Sequence, residues 1–379
     1  MNKSKNIAVL GGSFLQQEFV LTAHSKGHNI FILDGNPNCY LSRNKDYKFV
    51  NINFSNENEV LQFCKKNDIS FVYAPSNEAG NLIASRLASK IGYKYNSEET
   101  VFNTLNKSSQ RKLLNKLNQI KSPKSTTFQD DIKRIESNLK YPLIVKPSSS
   151  SASRGISSAD NQSELINAVN TAKQFLKPGD DIIVEEYIEG EQISVETISA
   201  EGKHYIAGIT LEIVSGAPDF VERSHFMGPK IHERFFDLLV NPINELLTTA
   251  NIKVGPCHIE LKVKNNEIYL IEIASRAGGL RDYLMKVSGY PDFNELILDA
   301  YLNNTIKQEN LHTPEQNGLV NIFTKVNDLH TFVKGRKDGT LVNYYFNEKG
   351  PVPEPKNLID AYGYAYFKST KSLIKYALK

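Results

Sequence analysis

The sequence contains no tryptophan and only three cysteines, Cys39, Cys64 and Cys257, with no CxxC spacing among them. That excludes a disulfide framework and a structural zinc site, and it fits a reducing cytoplasm. No apolar run approaches the roughly 18 residues of a membrane-spanning helix. The opening MNKSKNIAVLGGS lacks the apolar core and small-residue cleavage site of a secretory signal. An excess of one charge is missing too: 45 Lys plus Arg against 42 Asp plus Glu leave a net +3. Neither a nucleic-acid partner nor a membrane surface is expected from so even a balance. Arginine is scarce, with ten residues, five of them between Arg154 and Arg281. Where lysine serves ordinary solubility, such an arginine is expected to be present for its planar fork. No fixed-period repeat and no coiled-coil heptad occurs.

What is present is an ordinary globular balance, 40% hydrophobic and 23% charged over 379 residues. At roughly 150 residues per domain that suggests two to three domains. The first 95 residues alternate strand and helix: strands at Ile7–Leu10, Asn29–Leu33, Lys48–Asn53 and Ile69–Ala74, with an apolar-periodic stretch from Phe14 to Ala23. This order predicts a parallel sheet covered on both faces. Residues 97–119 read as helix, opened by Ser97 and Glu98-Glu99. From about 124 the texture changes. Short strands at Leu143–Lys146 and Ile182–Tyr187 flank a serine-rich loop and a helix over Asn161–Leu176. Alternating segments at Ile193–Ile198, Tyr205–Ile213, His258–Val263 and Ile268–Ala274 predict antiparallel strands, the last two joined by an Asn265-Asn266 turn. Ile231–Ala250 reads as a helix with a break at Pro242, and 318–379 as a smaller module of strands closed by a helix from about Ser369.

Five constellations can carry chemistry. Gly11-Gly12 follows a strand and Asp34 ends the next; this is either a dinucleotide site or, lacking the third glycine of GxGxxG, a tight turn. Lys146 closes PLIVK and opens SSSSASRG, which suits either a phosphate cradle or a flexible linker. VEEYIEGEQISVE offers a connector whose backbone edge can bond an adenine, or else a solvated hairpin. Glu260 in HIELKV and Glu272 in YLIEIASR become cross-strand neighbours through the Asn-Asn turn. A carboxylate pair flanked by aliphatic residues calls for a cation such as Mg²⁺, or for a structural ion pair. Arg276 lies four residues beyond Glu272, before Gly278-Gly279, within reach of developing phosphoryl charge. Finally, FVERSHFMGP reads as a loop holding Glu222, Arg223 and His225.

Taken in order, NKSSQRKLL, YPLIVKPSSSSASRGI, VEEYIEGEQISVE, HIELKV and IEIASRAGG resemble the ATP-grasp superfamily of carboxylate–amine ligases along essentially the whole chain. IEIASRAGG with FVERSHFMGP is most similar to the dipeptide-forming L-amino-acid ligases of the bacilysin-synthetase type. The C-terminal strands are similar to the cap of the biotin-carboxylase-like branch. The resemblance implies a mixed α/β and α+β architecture: a Rossmann-like N-terminal domain, a two-lobed nucleotide-binding core and a small β-rich C-terminal module. The expected boundaries are 1–96, a linker helix at 97–123, a lid at 124–190, a central domain at 191–312 and a cap at 313–379.

The same resemblance implies roles. Lys107 and Lys146 would hold ATP phosphates, with Ser150, Ser153 and Gly155 in the loop folding over them. Glu185 and the backbone of Glu186 and Ile188 would meet adenine, and Gln192 stands where relatives carry a ribose-binding Glu. Glu260 and Glu272 would bind Mg²⁺ or Mn²⁺, without the Asn that many relatives have where Ala274 stands here. Arg276 would be catalytic, binding the transferred phosphoryl group. Glu222 and His225 would contact substrate, and Gly278 and Gly279 would direct backbone N–H groups at a substrate carboxylate. Without tryptophan, stacking would fall to Tyr187 or Phe226. The implied reaction joins a small-molecule carboxylate to an amine through an acyl phosphate, by a monomer or homodimer. Two rival readings are a purine-biosynthesis-like enzyme activating formate or bicarbonate, and a nicotinamide-dependent oxidoreductase built on Gly11, Gly12 and Asp34.

Overall fold

In the computed structural model, residues 4–128, 132–150, 153–217, 220–307, 311–348, 350–352 and 360–378 are described. Ser151 and Ala152 of the serine loop lie outside them. Strands β1 (Asn6–Leu10), β2 (Asn29–Asp34), β3 (Lys48–Asn51) and β4 (Ile69–Tyr73) form a parallel sheet in the order β3-β2-β1-β4. Ile7 and Val9 pack into one core cluster and Ala8 and Leu10 into another, so apolar cover lies on both faces, as the unbroken IAVL run requires. The helix Glu78–Ile91 follows β4. Asn77 caps its start by accepting from Gly80 N, and Gly92 ends it at φ +94°.

A small antiparallel sheet comprises β6 (Ser125–Thr127), β9 (Ile182–Glu186), β7 (Leu143–Pro147) and β8 (Ser157–Ala159), in that spatial order. The third sheet has nine strands. They are β5 (Ile120–Lys121), β10 (Glu191–Ala200), β11 (Lys203–Val214), β12 (Glu222–Met227), β13 (Gly255–Lys264), β14 (Glu267–Ala274), β15 (Asn317–Phe323), β16 (Leu341–Phe346) and β17 (Gly363–Ser369). Their order is β16-β17-β15-β12-β11-β10-β13-β14-β5. The strands of 313–379 thus extend the central sheet, through β15 pairing with β12.

The faces of this sheet differ because residues alternate along each strand. Ile193, Val195, Ile259 and Leu261 enter a core under the helix Pro229–Thr249, whose stripe of Ile231, Phe235, Leu239, Ile243 and Leu246 meets them. The alternate residues Ser194, Glu196, Glu212, His225, His258, Glu260, Lys262 and Glu272 form a polar row on the other face.

Four local expectations change. The 97–119 segment is two helices, Glu98–Leu105 and Lys107–Leu114, because Asn106 adopts φ −101° and caps the second through Ser109 N. Pro242 does not break its helix, since the apolar stripe keeps its period across it. Packing of that stripe outweighs the roughly 3 kcal/mol an internal proline costs. Residues 222–227 are strand rather than loop, paired on both sides by β11 and β15. The end of the chain holds a short turn of 3-10 helix, Ile374–Tyr376, because β17 itself runs to Ser369.

Candidate active site

Two clefts open along the polar row. The inner one lies between the small and the large sheets and is lined by Lys146, Ser150, Ser153, Glu185, Glu186, Ile188, Gln192, Lys262 and Glu272. The outer one, about 740 Å³, joins the carboxyl ends of the N-terminal strands (Gly11, Gly12, Asp34, Ser76) to His225, His258, Arg276, Gly279 and Arg281. Glu222 and Glu260 line both clefts and mark where they meet.

The floor of the inner cleft is a buried ion cluster. Glu185, 2% exposed, holds Lys146 Nζ at 2.6 Å and accepts from Arg111 Nε at 2.5 Å and Nη2 at 3.1 Å. Burial alone would raise its pKa, but the two cations overcome it and hold the carboxyl at about 2. Burial pulls Lys146 down to about 8, with Glu185 partly offsetting it. Lys107, also 2% exposed, reaches Glu272 Oε2 at 2.9 Å and donates to the Ser150 carbonyl at 2.8 Å. Lys146 lines the cleft from the strand β7, and Lys107, on the helix Lys107–Leu114, bonds two residues that line it, Ser150 and Glu272.

Glu260 and Glu272 are direct cross-strand partners, and Asn265 and Asn266 make the turn at φ 52° and 63°, as a type I′ hairpin needs. His258 sits between Glu196, 2.5 Å from its Nδ1, and Glu260, 3.3 Å from its Nε2. Burial disfavours its charge, yet the two carboxylates lift it to about 10, so it is an imidazolium at neutral pH. His258 in turn holds Glu260 below the usual carboxylate range, whereas burial pushes Glu272 up. Two paired carboxylates facing a cleft floored by cations are an all-oxygen donor set, which fits a hard divalent ion such as Mg²⁺.

Arg281, 2% exposed, ties the row together. It meets Glu212 at 2.5 Å, Glu222 at 3.7 Å and Ser194 Oγ at 3.3 Å, and donates to the His225 ring. Glu212, Glu222 and His225 converge closely enough to hold a metal, but the guanidinium already meets all three. Burial, with Arg281 adding to it, keeps His225 neutral, its pKa far below the ordinary value. Arg276 Nη2 donates to Glu78 Oε1, at the start of the helix after β4, at 2.8 Å, and Nη1 donates to the adjacent Ala277 carbonyl at 3.1 Å.

The remaining positions named from sequence make contacts within the protein. Glu185 pairs its carboxylate with Arg111 and Lys146. The Glu186 N–H donates to the Lys124 carbonyl at 2.9 Å, and Ile188 lies further along the cleft wall. Gln192 bonds Glu212 through Nε2 at 2.8 Å. Ser150 Oγ donates to the Arg154 carbonyl at 2.8 Å and Ser153 Oγ to that of Phe220 at 3.3 Å. Gly155 has φ +72° beside Phe175 and Pro147, a conformation that glycine favours. Gly278 gives its N–H to Glu196 at 3.0 Å, so it does not offer it to a substrate; a Cβ there would meet Glu196 and His258 within 2.6 Å. Gly279 remains open to the outer cleft. Asp34 accepts from Gly12 N and Asn36 N, both at 2.8 Å, which is the tight-turn use of that acid. Tyr187 lies in the inner cleft, while Phe226 is in the apolar core. Arg111, Glu196, Glu212, His258, Arg281 and Glu78 are not among the residues to which the sequence patterns point.

Residues 139–282 match the sequence profile of the ATP-grasp domain. A phosphoribosylamine–glycine ligase of Fusobacterium nucleatum is 24% identical over 305 residues, 76% of this chain and 70% of the relative. The carbamoyl phosphate synthase large chain of a Thermoanaerobacter species is 26% identical over 200 residues, 52% of this chain but 18% of that much longer one. The solved L-amino acid ligase of Bacillus licheniformis superposes with a TM-score of 0.78 at 20% identity, over 98% of this chain and 95% of that one. The protein carries an ATP-grasp domain at residues 139–282, and nearly its whole length shares the fold of that solved ligase.

Proposed function

We propose that this protein is an ADP-forming ligase that joins a carboxylate, an amino acid or similar small acid, to an amine. The observation that carries this reading is the junction at Glu222 and Glu260. A cation-floored cleft suited to nucleotide phosphates meets there a second cavity with both acidic and basic side chains. Lys107 and Lys146 cancel phosphate charge, and Arg276 faces the transferred group from the outer side. Glu260 and Glu272 would hold Mg²⁺ or Mn²⁺, which supplies further charge to the phosphate oxygens. The substrate carboxylate attacks the γ-phosphorus, the bond to the β-phosphate oxygen breaks, and ADP leaves. The amine then attacks the acyl carbon, the C–O bond to phosphate breaks and the amine loses a proton. Both steps ask the protein for alignment and charge cancellation more than for covalent chemistry. Glu222 receives a substrate ammonium, with neutral His225 behind it, and the serine loop with β7 and β9 excludes water from the acyl phosphate.

The likeness to the L-amino acid ligase supports an amino-acid substrate, action in the cytoplasm fits three cysteines without CxxC spacing, and a homodimer is the assembly to test for. Among the described residues no helix is long and apolar enough to cross a membrane. The test is ADP release from MgATP with pairs drawn from the common amino acids. Release that needs both a carboxylate and an amine is expected. Release with bicarbonate or formate alone would favour the purine-type reading, and none with any pair would overturn the amino-acid form.

A further inference from the structure

The outer cleft has an apolar wall as well as a polar end, and this wall comes from the two ends of the chain. Ile322 on β15 and Tyr364 on β17 are cross-strand partners and both line the cavity, together with Leu15 from the turn after β1. Tyr364 is half-buried, and its ring is held in an aromatic layer. The Phe14 ring lies 6.2 Å away at 9°, that of Tyr345 6.3 Å away at 18°, and Phe14 stacks on Tyr345 at 4.6 Å. A side chain clamped between an N-terminal turn and a C-terminal hairpin cannot swing aside to admit a larger ligand without parting that layer. The nearby Glu222 carboxylate adds to burial in raising the phenol to about 12, so the group meets a ligand as a neutral ring and hydroxyl.

We infer that Tyr364, backed by Ile322 and Leu15, is a specificity residue that limits the side-chain size of an α-amino acid whose ammonium sits at Glu222. This rests on the ligase reading above and adds the substrate class: an amino acid with an apolar side chain turned toward the C-terminal strands. One methylene in a hydrophobic pocket discriminates by about 10- to 200-fold, so removal of a whole ring is expected to reorder the substrate profile.

The experiment measures kcat/KM for ADP release across all the common amino acids, for the wild type and for Tyr364→Ala, Tyr364→Leu and Tyr364→Phe. Expected is a shift of the optimum to larger side chains in the Ala and Leu variants. The ratio of bulky to small substrates should rise at least about tenfold, with KM for MgATP unchanged and the Phe variant like wild type. A mere loss of stability would lower all substrates together. Melting curves identify an unfolded Ala variant, and the Leu variant, which keeps apolar bulk, then decides. A side-chain profile identical to wild type in the folded variant overturns the inference alone. If the wild type shows no amino-acid-dependent ADP release, the ligase reading itself fails, and the inference with it.

Discussion

Replacing Glu185 by Gln removes one negative charge from between two buried cations, and the consequences can be worked from the geometry. In the folded protein the Glu185 carboxyl is depressed from 4.5 to about 2, against the pull of burial, by Arg111 and Lys146. At about 1.4 kcal/mol per pKa unit that corresponds to about 3 kcal/mol of stability. The figure agrees with the roughly 3–5 kcal/mol lost when a buried pair is broken on one side. Because the folded value is depressed, this stability is present above the ordinary carboxyl pKa and is lost as pH falls toward 2. A glutamine oxygen still accepts one hydrogen bond, worth about 1 kcal/mol, so a net loss of about 2 kcal/mol is expected in urea unfolding at neutral pH. The second effect falls on Lys146. Burial already brings it to about 8, and without the opposing carboxylate it drops further and is largely neutral at pH 7.5. KM for MgATP should therefore rise about tenfold, the size of one lost unit of differential stabilisation, and partly recover at pH 6 as the amine is reprotonated. Unchanged stability together with an unchanged KM would refute the assignment of Glu185 as the support of Lys146.

Other outcomes follow from the same contacts. In the wild type, KM for MgATP is expected to rise above pH 8 as Lys146 loses its proton, and Lys146→Arg should remove that inflection. Glu272→Ala should lower turnover by at least about a hundredfold, because it takes away one of the paired carboxylates; retained activity in the ADP assay removes Glu272 from the site. Glu222→Ala should raise KM for the amine-bearing substrate while leaving that for MgATP in place. Glu78→Gln loosens Arg276 from the N-terminal domain and should lower kcat more than either KM. Equal loss in every parameter would point to global destabilisation instead.

The fold and the cross-strand pairing of the two carboxylates were legible because their signals are local. The unbroken IAVL run announces a strand buried on both faces, and two asparagines at a hairpin turn set Glu260 opposite Glu272. The places of Lys107, Lys146 and Arg276 beside the clefts were legible through their motif context. The charges that orient them were not, because their partners are far away in sequence. Glu196 is 62 residues from His258, Glu212 is 69 from Arg281, Arg111 is 74 from Glu185 and Glu78 is 198 from Arg276. No short pattern links such pairs; Glu196 meets His258 through the register of β10 with β13, and the others meet through the packing of separate elements. The same distance explains Glu185 and Gly278. Each was read from its neighbours as a ligand contact, and each spends that group on a remote protein partner. The strand at 222–227 was hidden because its pairing partners β11 and β15 frame it from opposite sides of the sequence, and its polar residues serve a buried row rather than solvent.

The most direct measurement follows oxygen. With the substrate carboxylate labelled in ¹⁸O, attack on the γ-phosphorus leaves one labelled oxygen on the phosphate that the amine later displaces. The account requires one ¹⁸O in the released phosphate for each amide bond formed, with ADP as the nucleotide product. Amide formation with unlabelled phosphate, or with AMP in place of ADP, would contradict it.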